Sequence, residues 1–156
     1  MKRIAIILLV VLLLCAALSL TACGDKLKSG QVRITVGDKS FIAELADTKA
    51  AKQLEKALAT ESISIKMTAV NSQYIHGNVA NREFPSSAEE SGIMDAGDIM
   101  MQGNNELVMF YALNTSNDRL TRIGKIREED RTAFANAVNK AVSNSSSKSV
   151  TITISK

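Results

Sequence analysis

The chain has no tryptophan, one histidine, one proline and two cysteines in 156 residues. A lone histidine, His76, excludes a zinc site built on several imidazoles. The cysteines exclude more once the amino terminus is considered. Cys15 lies within the apolar run Ile4 to Leu18 that follows Met1, Lys2 and Arg3. A short basic segment followed by such a run is the n-region and h-region of a secretory signal. The run is also short for a membrane span, which disfavours an uncleaved anchor. Cys15 would be removed with the signal, leaving Cys23 as the last thiol.

Leu20, Thr21 and Ala22 precede Cys23. Small residues before a cysteine seat a chain in the lipoprotein signal peptidase, and this segment resembles the bacterial lipobox. The expectation is that residues 1–22 are a signal peptide. The Cys23 thiolate then takes a diacylglycerol as a thioether, and cleavage frees its amine for a further acyl chain. Two or more chains anchor stably where one is marginal, each buried methylene contributing about 0.8 kcal/mol. The expected location is the extracytoplasmic face of a cell membrane, with membrane lipid the partner of Cys23.

With Cys23 consumed, the mature chain has no thiol, so disulfides, thiolate catalysis and cysteine metal sites are excluded. No metal or other cofactor is expected. Losing Lys2 and Arg3 lowers the formal charge from +3 to +1, a balance that implies no nucleic-acid partner. About 134 residues remain, enough for one domain with its own core.

Residues 23–30 form the lipidated cysteine and a short polar tether, and residues 31–156 the domain. Gly24 to Gly30 can span at most about 25 Å. Val32, Ile34 and Val36 alternate with polar residues, Gly37-Asp38-Lys39 makes a turn, and Phe41, Ala43 and Leu45 return. This pattern predicts a β-hairpin. Asp47 is placed to cap a helix striped by Ala50, Ala51, Leu54, Ala57 and Leu58 and ending near Thr60. Ile63, Ile65 and Met67 alternate as a third strand. From Asn71 to Ser91 no period is sustained, and loops with short strands are expected, His76 among the loops. Asp98 to Met101 and Glu106 to Tyr111 flank a Gln-Gly-Asn-Asn turn, the second arm apolar enough to be buried on both faces.

A short strand at Arg122 to Ile126 precedes Glu128, Glu129 and Asp130, acids suited to the start of a helix. That helix carries Ala133, Phe134, Ala137, Val138, Ala141 and Val142. A serine-rich loop then leads to Val150, Ile152 and Ile154 in a last strand. The fold expected is mainly β with two helices, seven or eight strands closing or nearly closing a small barrel that removes exposed edges.

Three stretches carry a family resemblance: Ile93-Met94-Asp95-Ala96-Gly97-Asp98-Ile99, Leu107-Val108-Met109-Phe110-Tyr111 and Leu120-Thr121-Arg122-Ile123-Gly124-Lys125-Ile126. In this order they resemble a family of small bacterial proteins with a cyclophilin-like barrel. The resemblance implies a fold rather than an activity. Prolyl isomerases of this shape use an arginine beside a Phe-His pair, then a Phe-Met-x-Gln-Gly segment. Met100-Met101-Gln102-Gly103 looks like the second, but Phe-His-Arg and tryptophan are missing. Met100 to Gly103 also reads as a strand entering a turn.

The expectation is therefore a non-catalytic, membrane-tethered domain that binds a peptide or small ligand. Its candidate contacts are Met101, Gln102, Tyr111 and Arg122 at a barrel mouth. The alternative is a degenerate or active prolyl isomerase, or another cell-surface enzyme, with Arg122 standing in for the missing arginine. His76 is the one side chain that titrates near neutrality, yet no nucleophile is identified beside it.

Overall fold

The computed structural model describes residues 26–87 and 90–156. Residues 1–22, Cys23 and the start of the tether lie outside the described residues. The hairpin forms as its alternation dictates: β1 (Gln31–Val36) pairs with β2 (Lys39–Leu45), Val32, Ile34 and Val36 facing inward. Helix α1 (Lys49–Leu58) follows. Its cap is Thr48 rather than the expected Asp47. Thr48 is extended, and its hydroxyl accepts from the Ala51 N–H at 3.1 Å while donating to the Arg122 carbonyl at 2.8 Å. Asp47, one residue earlier, instead pairs with Lys52 at 2.5 Å.

Next come β3 (Ile63–Val70), β4 (Tyr74–Asn78), β5 (Glu90–Met94), β6 (Asp98–Gln102), β7 (Glu106–Phe110) and β8 (Asn114–Ile126). A 3₁₀ turn at Glu128–Asp130 leads into helix α2 (Arg131–Ser143), and β9 (Ser149–Ser155) ends the chain. His76 therefore stands on a strand, not in a loop. β8 begins eight residues earlier than the strand expected at Arg122.

The strands form one antiparallel ring in the order β2, β1, β9, β3, β4, β7, β6, β8, closed by β8 pairing back onto β2. The structure is thus mainly β with two helices and a closed ring of eight strands. The ninth strand, β5, pairs with β8 outside the ring. The seam depends on Gly124, where an added Cβ would lie 2.4 Å from the Glu44 carbonyl oxygen. Its lack of a side chain lets two backbones meet.

The registers place the helices at opposite ends. α1 connects the end of β2 to the start of β3, and α2 connects the end of β8 to the start of β9. α1 buries Ala50, Ala51, Leu54 and Leu58. α2 buries Phe134, Ala137, Val138 and Val142, with Phe134 edge-on to Phe41 at 5.6 Å. The interior is continuous packed side chain from end to end.

β6 and β7 are apolar on both faces, which the unbroken run Leu107 to Tyr111 predicted for β7. Ile99, Met101, Leu107 and Met109 belong to the interior. Met100, Val108 and Phe110 point outward and join Met94 and Leu120 in a satellite core, with Tyr74 packed against it. The ribbon of β5 and the first half of β8 is the arm that covers this outer wall.

Candidate functional site

The residues singled out from sequence do not converge on one mouth. Met101 is fully buried in the interior, and Tyr111 is buried there too. Burial raises the Tyr111 phenol, partly offset by a hydrogen bond with Ser72. Both side chains are packed in the core, almost wholly inaccessible from the surface. Gln102 is exposed at the end of β6, and Arg122 is half-buried on β8. Cys23 lies outside the described residues.

The polar chemistry gathers on the outer wall formed by β4, β7 and β6. Alternation puts Tyr74 and His76 on one face of β4, and Glu106, Val108 and Phe110 on the matching face of β7. His76 Nδ1 lies 2.5 Å from a Glu106 carboxylate oxygen, both side chains about one-third exposed. Gln102 pairs across the strands with Glu106. Tyr74 lies 5.5 Å from Phe110 and 6.1 Å from His76, ring centre to ring centre. Beside them is a recess of about 20 Å³ lined by Tyr74, Gln102, Val108, Phe110, Asn114, Ser116, Asp118 and Leu120. That space holds one water-sized group. The His76–Glu106 pair, the Gln102 amide and the part-exposed Tyr74 ring thus stand together above the buried Val108 and Phe110.

A second polar centre, missed from sequence, fixes the arm. Asp98 is 2% exposed. It accepts from the Asp95 N–H at 2.8 Å and from Arg122 at 3.0 Å, with Lys125 at 3.2 Å. Burial pushes its carboxyl upward, but the Asp95 N–H, Arg122 and Lys125 outweigh this and hold it below the usual range. Asp95 follows the last residue of β5, and Arg122 lies just past the arm half of β8. One buried carboxylate thus ties both roots of the arm. The turn reading of Gly97-Asp98 is correct in outline, Gly97 having φ +93°, but Asp98 is an ion-pair centre as well.

Larger clefts lie elsewhere. One of about 460 Å³ at the seam is lined by Lys28, Glu44, Lys125, Arg127, Glu129 and Arg131 among others. Arg127 is already matched there by Glu129 and Asp130, each at 3.3 Å. Among the described residues no cluster of three or more histidine, cysteine, aspartate or glutamate side chains is placed to hold a metal ion.

The motifs behind the family resemblance now have structural reasons. Gly97-Asp98 makes the turn and the clamp. Phe110 and Tyr111 fill the satellite core and the interior. Ile123-Gly124 fills the interior and closes the seam. They are determinants of a closed eight-stranded antiparallel ring with a helix at each end, the architecture of a cyclophilin-like barrel. The sequence model of the cyclophilin-like family matches residues 34–155, and the chain belongs to that family. Comparison with curated proteins gives no match. Among solved structures, McbB in complex with tryptophan is similar with a TM-score of 0.55 at 14% identity. That match covers 81% of this chain, which spans 44% of the length of McbB. The hypothetical protein AF2241 from Archaeoglobus fulgidus is similar with a TM-score of 0.53 at 11% identity, covering 85% of this chain and 98% of AF2241. At such identities the likeness concerns the fold.

Proposed function

We propose that this protein is a lipid-anchored, extracytoplasmic binding domain, held to the membrane through Cys23, that takes a peptide or small ligand on its outer wall without catalysis. The observation that carries the reading is the convergence of Tyr74, the His76–Glu106 pair and Gln102, part-exposed, on one wall. That wall also suits a tethered molecule. The Gly30 N–H donates to Glu55 at 3.0 Å, and its carbonyl accepts from the Leu45 N–H at 2.7 Å. Lys28 and Gln31 exchange two hydrogen bonds of 3.1 Å. Only residues 24–27 then separate Cys23 from Lys28, at most about 18 Å over five residue steps. β7 stands four places from β1 in the eight-stranded ring, so the site lies on the wall opposite the strand that carries the tether.

Arg122 favours binding over isomerisation, because Asp98 already engages the guanidinium that would have to support a twisting prolyl amide. The test is chemical-shift mapping of the labelled chain against short peptides with and without proline. Shifts should cluster at Tyr74, His76, Gln102 and Glu106. The double substitution His76→Gln with Gln102→Ala should weaken binding about tenfold at unchanged melting temperature. Shifts centred on the seam cleft would overturn the assignment.

A further inference from the structure

The two helices close opposite ends of the barrel, and their charges differ. α1 carries three lysines and one acid in ten residues. At 3.6 residues per turn, Lys49, Lys52 and Lys56 stand within about 60° of one another, opposite the buried Ala50, Ala51, Leu54 and Leu58. All three lysines are exposed. The one acid, Glu55, is turned aside and taken up by the Gly30 N–H at 3.0 Å and by Lys156 at 2.5 Å. Lys52 meets Asp47 in an exposed pair, which contributes little. Among the described residues no carboxylate pairs with Lys49 or Lys56. α2, at the other end, starts behind Glu128, Glu129 and Asp130 and has Lys140 as its one lysine.

Helix stability does not account for these lysines. A cation in the first turn opposes the macrodipole, yet α1 has Lys49 there and no acid. Beside the stripe opens a cleft of about 590 Å³ lined by Lys52, Gln53, Lys56, Ala57, Thr60 and Arg82, with no carboxylate among them. Glu61 holds Arg82 from outside that lining.

The place of the tether decides what this face meets. Glu55 fastens Gly30 to α1 itself, and β1 starts at this end of the barrel, with Gln31 opposite Glu44. The stripe from Lys49 to Lys56 is about 10 Å long, and at most about 18 Å of chain runs from Lys28 to Cys23. With Cys23 in lipid, the α1 end is the end nearest the membrane. We infer that, given the anchor at Cys23 proposed above, the lysine face of α1 lies against anionic phospholipid headgroups of the same membrane. Headgroup phosphates meet Lys49, Lys52 and Lys56, and the carboxylate-free cleft beside them admits one headgroup. The attraction of each lysine reaches about one Debye length, and the anchor supplies the local concentration that such a surface needs. The mature chain is near neutral overall, so this local charge orients the domain on the membrane while the lipid holds it there. α2 then points away from the bilayer.

The test uses the full lipidated chain in vesicles of phosphatidylcholine, alone or with about one-third phosphatidylglycerol. With Cys23 acylated, Gln53→Cys offers a single thiol on the α1 face and Ser146→Cys one beyond α2. Each carries a fluorophore read against a quencher lipid labelled at headgroup level. Quenching at position 53 should rise at least about threefold with phosphatidylglycerol and stay at background at position 146. About 0.5 M salt, which shortens screening to roughly 4 Å, should return it to the phosphatidylcholine level. Lys49→Gln combined with Lys52→Gln and Lys56→Gln should do the same at unchanged melting temperature. A chain that floats with the vesicles but is quenched equally in both lipids, equally at both positions, or regardless of salt would overturn the proposal and leave the anchor standing. A chain that does not float would overturn both.

Discussion

Substituting Gly124 by alanine should open the ring. Glycine is required here for space: an added Cβ would stand 2.4 Å from the Glu44 carbonyl oxygen and 3.2 Å from the Leu45 Cα, both backbone atoms. No side chain can rotate away, so β2 and β8 must part. Their seam consists of three registered pairs, Ala43 with Ile126, Glu44 with Lys125 and Leu45 with Gly124. Ala46 N–H to Ile123 carbonyl at 2.9 Å and Arg127 N–H to Ile42 carbonyl at 3.0 Å flank it. Overpacking of this kind costs about 1–3 kcal/mol, and losing one or two seam hydrogen bonds adds about 1 kcal/mol each. A total near 3–4 kcal/mol corresponds to a fall of roughly 10–15 °C in melting temperature for a domain of this size. Thermal unfolding followed by far-ultraviolet circular dichroism measures it, with Gly103→Ala as the comparison. Gly103 has φ +61° and open space around it, so that change costs only about 1 kcal/mol of backbone strain. If Gly124→Ala melts within about 2 °C of the parent, or no lower than Gly103→Ala, the account of the seam is wrong.

Asp98→Asn should cost about 2–3 kcal/mol at pH 7, because Arg122 and Lys125 lose their shared carboxylate but keep access to water. The folded-state carboxyl is held low, so this contribution is present above the unfolded value near 4 and is lost as pH falls through the folded value. Melting temperatures of parent and variant should therefore converge below about pH 4; a constant gap would contradict the clamp. Truncation after Ser143 removes β9, which lies between β1 and β3. It should abolish cooperative unfolding, and a sharp thermal transition in the truncated chain would refute its place in the ring. A prolyl isomerase assay on parent and Arg122→Ala should give no turnover above background in either. Turnover in the parent that vanishes in the variant would make Arg122 catalytic.

The elements legible in the sequence are those with one clear period. β1, β2, β3 and β9 alternate because one face meets the core, and both helices show apolar stripes for the same reason. The first half of β8 did not read as a strand, since Asn114, Thr115, Ser116, Asn117, Asp118 and Arg119 lie on the arm and are at best part-buried. β4 is only five residues long and contains Gly77 and Asn78, which hid His76 on a strand. Gly77 is there because an added Cβ would meet the Lys66 carbonyl oxygen at 2.5 Å. The site was harder to read than the fold. Met100 and Met101 are equally apolar, and parity alone does not say which faces in. Tyr111 and Met101 turned inward, whereas Gln102 lies on the wall that also carries His76. The pairing of His76 with Glu106 joins residues thirty apart, and nothing local in either segment announces it.

The most direct test of the membrane-tethered reading is the mass of the chain extracted intact from membranes, with metabolic fatty-acid labelling of the parent and of Cys23→Ala. The expected product begins at Cys23 and carries a glyceride thioether and acyl chains. The variant should carry no label and keep residues 1–22. Label that persists in Cys23→Ala, or a parent chain that retains Met1 and no lipid, would contradict the account.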